Sequence, residues 1–275
     1  MARESVTIGE SLTRPYNLAC MELRPFRSLR YSPAVISRRG LSALIAPPTE
    51  QIPTEAKGRL LSEAPENIAH VIASDEGAGE TLKSWLASGT LLKERRPGLW
   101  LYRQSRENAG RTVVVNLLVG LVRLQESSPD LVVPESPAPA AARSRRLGFL
   151  GETHADLEPC LLMTRAPISG ALSTTRGPDL SAVSDGVRHD AFRIGDYAQH
   201  VELQGLVNNA EASLADGLDR YEAALGFSKA PAAAKLPGAR YKLSAIADEQ
   251  SFGAAGGEAL VHAGLFGVAL GDPVY

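Results

Sequence analysis

Between Leu99 and Val122 the chain carries its clearest β pattern. Leu99-Trp100-Leu101-Tyr102 leads into a polar turn at Asn108-Ala109-Gly110. Thr112-Val113-Val114-Val115-Asn116-Leu117-Leu118-Val119-Gly120-Leu121-Val122 follows. β-branched and aromatic residues suit a pleated surface, and two such runs joined by an Asn/Gly turn predict a β-hairpin. We place that hairpin at the centre of a sheet.

The remaining pattern alternates helix and strand signals. Leu23 to Tyr31 is extended in character, and Ser42-Ala43-Leu44-Ile45-Ala46 and Asn67 to Ala73 are expected to be short strands. Pro53-Thr54-Glu55 opens a helix to about Glu63, with Thr54 as a possible cap. Leu82, Trp85 and Leu86 at helical spacing predict a core-facing helix over Glu80 to Ser88, closed by Gly89. Asp185-Gly186 marks a hairpin turn. Gly195 to Asn209 is read as helix, Glu211 to Ala215 as a short strand, and Glu258 to Leu270 as strand. Two stretches rich in proline and alanine, Pro134 to Arg146 and Ser228 to Gly238, are expected to be loops. The expected fold is α/β (α+β), a mixed sheet with flanking helices. Its division is a flexible N-terminus over 1–20, an N-terminal α/β part over 21–133, a loop or linker over 134–146 and a C-terminal part over 147–275.

With 275 residues, 44% of them hydrophobic, the chain can bury a sizeable core. A formal net charge of -2 gives no overall basic footprint for nucleic acid. The arginine clusters at Arg24, Arg27 and Arg30, at Arg95 to Arg111, and at Arg143, Arg145 and Arg146 are read as solvated surface. Cys20 and Cys160 form no disulfide or zinc pattern. The N-terminal segment lacks an apolar signal region, and no run of about 18 apolar residues occurs. A cytoplasmic protein with no nucleic-acid or membrane partner is the expectation. The five histidines show no metal-ligand spacing, and no Gly-x-Ser-x-Gly elbow or Walker P-loop is present.

Chemistry concentrates in Leu214-Ala215-Asp216-Gly217-Leu218-Asp219-Arg220-Tyr221-Glu222. Glycine tolerates the left-handed backbone needed to turn a strand into a helix. The helix start then offers unpaired N–H groups at the positive end of its dipole, and Arg220 adds a forked cation, which together suit a phosphate. Asp219 can cap the helix or approach a metal accompanying the phosphate. The same residues are also compatible with an ordinary helix start bearing a surface arginine.

This segment resembles the ADGHHRYE signature of the domain of unknown function 1015 family. Arg24-Pro25-Phe26, Ile45-Ala46-Pro47-Pro48, Pro65-Glu66-Asn67-Ile68, Trp85 with Gly89, Gly110-Arg111-Thr112, Asp185 to His189 and Arg220 to Leu225 fall in that family's order. The Gly217-x-x-Arg220-x-x-Ala223 frame is also similar to the phosphate motif of the ParB/sulfiredoxin-like superfamily, which includes free-serine kinases. The resemblance implies a ParB/sulfiredoxin-like element in the C-terminal half. It further implies a nucleotide, ATP or ADP with Mg2+, held by Asp216, Gly217, Arg220 and Tyr221. Phosphate transfer to a small hydroxyl compound such as serine would use Glu135 as general base and Asp219, beside the metal, as catalytic residues. The sequence departs from the family pattern at Leu218 and Asp219, which stand where it has two histidines, at Pro134-Glu135-Ser136-Pro137, and at Pro47-Pro48-Thr49-Glu50 where it has Pro-Pro-Tyr-Asp. Those departures leave a second expectation open, a non-catalytic relative that binds a ligand or regulates.

Overall fold

The structure, a computed structural model, describes residues 17–18, 20–74, 76–126, 140–256, 259 and 261–275. In chain order the first half holds β1 (Asn17–Leu18), β2 (Leu23–Arg24), β3 (Leu29–Tyr31), α1 (Pro33–Arg39), α2 (Thr54–Glu63), α3 (Ala69–Ile72), α4 (Ala78–Ala87), β4 (Leu91–Lys93), β5 (Leu99–Asn108) and β6 (Arg111–Arg123). The second half holds α5 (Ala140–Thr153), β7 (Ala155–Asp156), β8 (Cys160–Thr164), β9 (Leu180–Ser184), β10 (Val187–Ile194), α6 (Tyr197–Val207), β11 (Ala212–Asp216), α7 (Leu218–Ser228), β12 (Tyr241–Asp248), α8 (Glu249–Ala254) and β13 (Val268–Ala269).

A nine-stranded sheet organises these elements in the order β1-β11-β8-β12-β6-β5-β10-β9, with β2 also paired to β6. Neighbours run antiparallel except β12 and β8, which are parallel, so the sheet is mixed as expected. The β5–β6 hairpin lies inside it. Ala109 and Gly110 take φ of 50° and 76° between Asn108 and Arg111, the left-handed pair that a tight two-residue hairpin requires. Asp185 and Gly186 join β9 to β10 in the same way, with φ of 51° and 78°.

The long apolar run of β6 is explained by burial on both faces. Val115, Leu117, Val119 and Leu121 enter a core shared with Val35 of α1, Val71 of α3, Leu82 and Trp85 of α4 and Phe252 of α8. Leu118 and Val122 enter a second core with Leu203 and Val207 of α6 and with Tyr221 of α7. Helices therefore cover the sheet on either side. A third cluster joins Leu150 of α5 to Ala223, Ala224 and Phe227 of α7. Strands from both sides of the 134–146 stretch share the one sheet, through β6–β12 and β5–β10.

Several local expectations are corrected. Ser42 to Ala46 is not a strand: Leu41–Ala43 is a 3-10 turn, and Ala46 makes only an isolated bridge to Ala263. Asn67 to Ala73 contains α3 instead of a strand. The buried Asn67 side chain accepts from the Ala69 amide at 2.9 Å and donates to the Ala43 carbonyl at 2.8 Å, winding the chain into a turn. A short apolar run cannot by itself separate these outcomes. Thr54 is the first helical residue of α2, and no side chain caps that helix. Residues 140–146, expected in a loop, begin α5, because alanine and arginine favour helix once an apolar face finds α7. The 228–238 stretch ends α7 and forms 3-10 turns over Pro231–Lys235 and Pro237–Arg240. In 258–270 the strand is confined to β13 among the described residues.

His189 belongs to the core. It is 2.6 Å from the Tyr102 hydroxyl, its ring centroid is 4.4 Å from that of His262, and its Nε2 has no partner among the described residues. Burial, reinforced by the neighbouring His262, lowers its pKa from an ordinary 6.5 to about 3. An unfolded chain therefore takes up a proton below about pH 6.5 that the folded site refuses. Stability contributed by the neutral ring is complete above that pH and is lost as the pH falls toward the folded value, at up to about 1.4 kcal/mol per pH unit. His189→Gln removes this component. Urea midpoints measured at pH 7 and pH 5 should differ less in the variant than in the parent, and equal pH sensitivity would exclude His189 as the source.

Candidate functional site

The signature segment folds as a strand, turn and helix. β11 pairs with β8, but its register shifts between Leu214 and Asp216, so the strand is irregular at Ala215 just before the turn. Gly217 then takes a φ of 88° and precedes α7 with no side-chain cap. A Cβ at this glycine would stand 2.7 Å from Arg220 Nε, 2.8 Å from Nη2 and 2.9 Å from Cζ. The residue thus serves twice, allowing the turn and leaving room for a guanidinium that folds back over it.

Arg220 is almost fully enclosed, its side chain 2% exposed. Its Nη2 donates to Asp216 Oδ2 at 2.5 Å and lies 3.1 Å from Glu50 Oε1. Its Nε and Nη1 have no hydrogen-bond partner among the described residues. Beneath the turn, the Cys160 thiol donates to the Gly217 carbonyl at 3.3 Å. Burial pushes that thiol up to about 12, so it remains neutral and unreactive.

A second arginine arrives from α5. Arg146 Nε donates to Asp219 Oδ2 at 2.6 Å, Nη1 to Glu158, and Nη2 to Glu50. Glu158 is anchored further by the Thr49 amide at 2.8 Å and the Thr49 hydroxyl at 2.9 Å. Behind it, Lys242 of β12 donates to both Asp156 oxygens, at 2.7 and 2.6 Å, and to the Glu158 carbonyl at 2.8 Å. A cavity of about 20 Å³ lies between these groups, lined by Arg146, Leu150, Asp156, Glu158, Arg220 and Lys242. That is room for about one water molecule.

The charges are unequal. Four carboxylates, of Glu50, Glu158, Asp216 and Asp219, face the guanidiniums of Arg146 and Arg220. Burial would raise the Glu158 carboxyl, but Arg146, Arg220 and the Thr49 hydrogen bonds outweigh it and hold its pKa below the ordinary value. Burial of Asp219 is likewise outweighed by Arg146, and its pKa is lowered. Glu50 behaves oppositely: burial prevails over both arginines and raises its pKa.

The structure therefore brings together Asp216, Gly217, Asp219 and Arg220 from the expected set. Tyr221 is not with them. Its ring is buried in the α6-side core and its hydroxyl accepts from the Gln125 amide at 2.9 Å. Asp219 does not cap α7, since its carboxylate is turned to Arg146. Glu135 lies outside the described residues. No group of three or more His, Cys, Asp or Glu side chains able to hold a metal occurs among the described residues.

Two contributors to the site carry little signal in the sequence. Arg146 was expected on a solvated surface, yet its side chain is 13% exposed and surrounded by acids. Glu50 entered only as a departure from the family's Pro-Pro-Tyr-Asp. Glu50 falls in a stretch compared with a family motif, and that is its available signal; Arg146 carries only its place in an arginine cluster. Glu158 and Lys242 carried none, being single charges beside apolar strands.

Fold and site together define a mixed-sheet α/β protein in which two arginines and a ring of carboxylates surround an uncapped helix N-terminus. The chain belongs to the family described as "Protein of unknown function (DUF1015)", whose model matches residues 23–253. No curated protein and no solved structure matches it. Among the described residues no helix is long and apolar enough to cross a membrane.

The double role of Gly217 has a measurable consequence. Gly217→Ala should cost about 2–4 kcal/mol, combining a positive φ with a collision against Arg220. Gly186→Ala, at a φ of 78° with nothing within 4 Å of the new Cβ, should cost only about 1–2 kcal/mol. Urea denaturation of the two variants compares them directly, and equal losses would remove the Arg220 contact from the explanation.

Proposed function

We propose that the protein binds a nucleotide or a related phosphorylated small molecule, with a phosphate group at the N-terminus of α7 between Arg220 and Arg146. The observation that carries this reading is Arg220, a buried cation with two nitrogens lacking partners among the described residues, folded over an uncapped 11-residue helix. Unsatisfied buried donors are costly, and a phosphate oxygen is a strong acceptor for them. The helix dipole adds to the attraction.

The excess of carboxylates favours a phosphate that arrives with a cation. Mg2+ complexes of ATP or ADP fit that requirement: Mg2+ is oxygen-seeking, keeps several waters, and takes one or two carboxylates plus phosphate oxygens. Asp219 and Asp216 are the nearest acids to the helix start in sequence. A ParB/sulfiredoxin-like relationship would account for the same Gly217-x-x-Arg220 frame.

Between the two forms of this function, binding without turnover is better supported than phosphate transfer to a hydroxyl amino acid such as serine. Asp219 is paired to Arg146 with its pKa lowered, which makes it a weak proton acceptor. Phosphate transfer would rest on Glu135 as base.

Calorimetric and thermal titrations with ATP and ADP, each with and without Mg2+, test the reading. Binding should raise the melting temperature, the stabilisation reaching about 2.7 kcal/mol at a ligand concentration 100 times Kd. Arg220→Lys, which keeps the charge but loses the fork, should weaken binding at least about tenfold. No heat and no thermal shift with either nucleotide would refute it. Incubation of the nucleotide complex with serine, followed by phosphorus NMR, separates the two forms, since phosphoserine would establish transfer.

A further inference from the structure

We propose that Glu50 is the built-in anion of the two-arginine seat, bridging Arg146 and Arg220 in the absence of ligand and exchanging with a ligand oxyanion when a phosphate group binds. This inference rests on the phosphate reading above and adds the group that has to leave.

Of the four carboxylates around the arginines, Glu50 alone is paired with both. One oxygen accepts from Arg146 Nη2, and the other lies 3.1 Å from Arg220 Nη2. Two oxygens of one anion shared between two guanidiniums is the arrangement that two oxygens of a phosphate would adopt. The side chain of Glu50 therefore stands where the ligand group would stand.

The other three acids are poorly placed to move. Glu158 is 6% exposed at its side chain and is fastened by the amide and hydroxyl of Thr49. Asp216 closes β11 and Asp219 sits in the first turn of α7, so each is carried by backbone that also forms the seat. Glu50 is 34% exposed at its side chain and lies on the one-turn 3-10 segment Thr49–Gln51. The Thr49 amide pins the backbone beside it to Glu158, so the carboxylate can swing outward by side-chain rotation while the turn stays in place.

Electrostatics act in the same direction. The seat holds two more carboxylates than guanidiniums, and a phosphate entering beside all four would meet net repulsion. Departure of Glu50 removes one negative charge, frees Arg146 Nη2 and opens one side of Arg220 Nη2, which stays bonded to Asp216. Burial already disfavours its ionised form, so transfer of the carboxylate to water recovers hydration.

Isothermal titration of the parent, Glu50→Gln and Glu50→Ala with inorganic pyrophosphate and with Mg2+-ATP tests the exchange, with folding checked by circular dichroism. Both variants should bind pyrophosphate at least tenfold more tightly than the parent, because no internal anion has to be displaced. Equal or weaker binding by the folded variants, alongside binding by the parent, would overturn the exchange and leave the phosphate reading standing. Absence of binding in all three proteins would overturn that reading and this inference with it. Failure of both variants to fold would identify Glu50 as a structural counter-ion and overturn the exchange.

Discussion

Arg146 spends all three guanidinium nitrogens on carboxylates from three separate parts of the chain: Glu50 in the turn after Pro47-Pro48, Glu158 before β8, and Asp219 in α7. Taking such charges out of water costs several kcal/mol per ion, and only close multiple pairing offsets it. The arrangement consequently tolerates little displacement. It fixes α5 against α7, draws the 49–51 turn over the helix start, and orients the β7–β8 connection. Apolar contacts of Leu150 with Ala223, Ala224 and Phe227 add area to the same α5–α7 interface, while the ion pairs set which residues face one another.

The sheet provides the platform. β8 lies between β11 and β12, antiparallel to the first and parallel to the second. The signature turn therefore leaves one neighbour of β8, and the Lys242–Asp156 pair stands at the start of the other. Lys242, 1% exposed, has both Asp156 oxygens and the Glu158 carbonyl as acceptors, so its buried charge is compensated. Glu158 is thereby held from two sides, by Lys242 through its backbone and by Arg146 and Thr49 through its side chain. Removal of any one partner from such a network leaves an uncompensated buried charge, so its members depend on one another.

Neutral and charged buried groups divide the molecule. Around β5 and β10, Tyr102, His189 and His262 form a buried cluster in which His189 stays uncharged. At the α7 end, full charges persist because each meets an opposite partner. The contrast comes from the neighbours available. His189 has a hydroxyl and a second imidazole against it, whereas Arg146 and Arg220 meet carboxylates. Cys160, close to Lys242 and Arg220 but sealed by the sheet, keeps its proton.

Local chemistry made the β5–β6 and β9–β10 hairpins readable, because Ala109-Gly110 and Asp185-Gly186 lie between β-rich runs and mark the turns themselves. The strand–turn–helix at Asp216-Gly217-Leu218 was readable for the same reason, and so were α4, α6 and the place of Arg220. By contrast, Ser42 to Ala46 and Asn67 to Ala73 are short apolar runs whose form was decided by partners elsewhere, Ala263 for one and the Asn67 side-chain bonds for the other. Residues 140–146 looked like linker until α7 supplied a surface for α5. Tyr221 shared the motif with Arg220, but a helix sends adjacent side chains in different directions, and the tertiary fold buried one in the core and left the other over Gly217. The sequence by itself determined a glycine turn with an arginine three residues on. Only the tertiary structure decided that Arg146, Glu50 and Glu158 would surround it, because ion pairing acts between groups close in space, and 96 residues of chain separate Glu50 from Arg146.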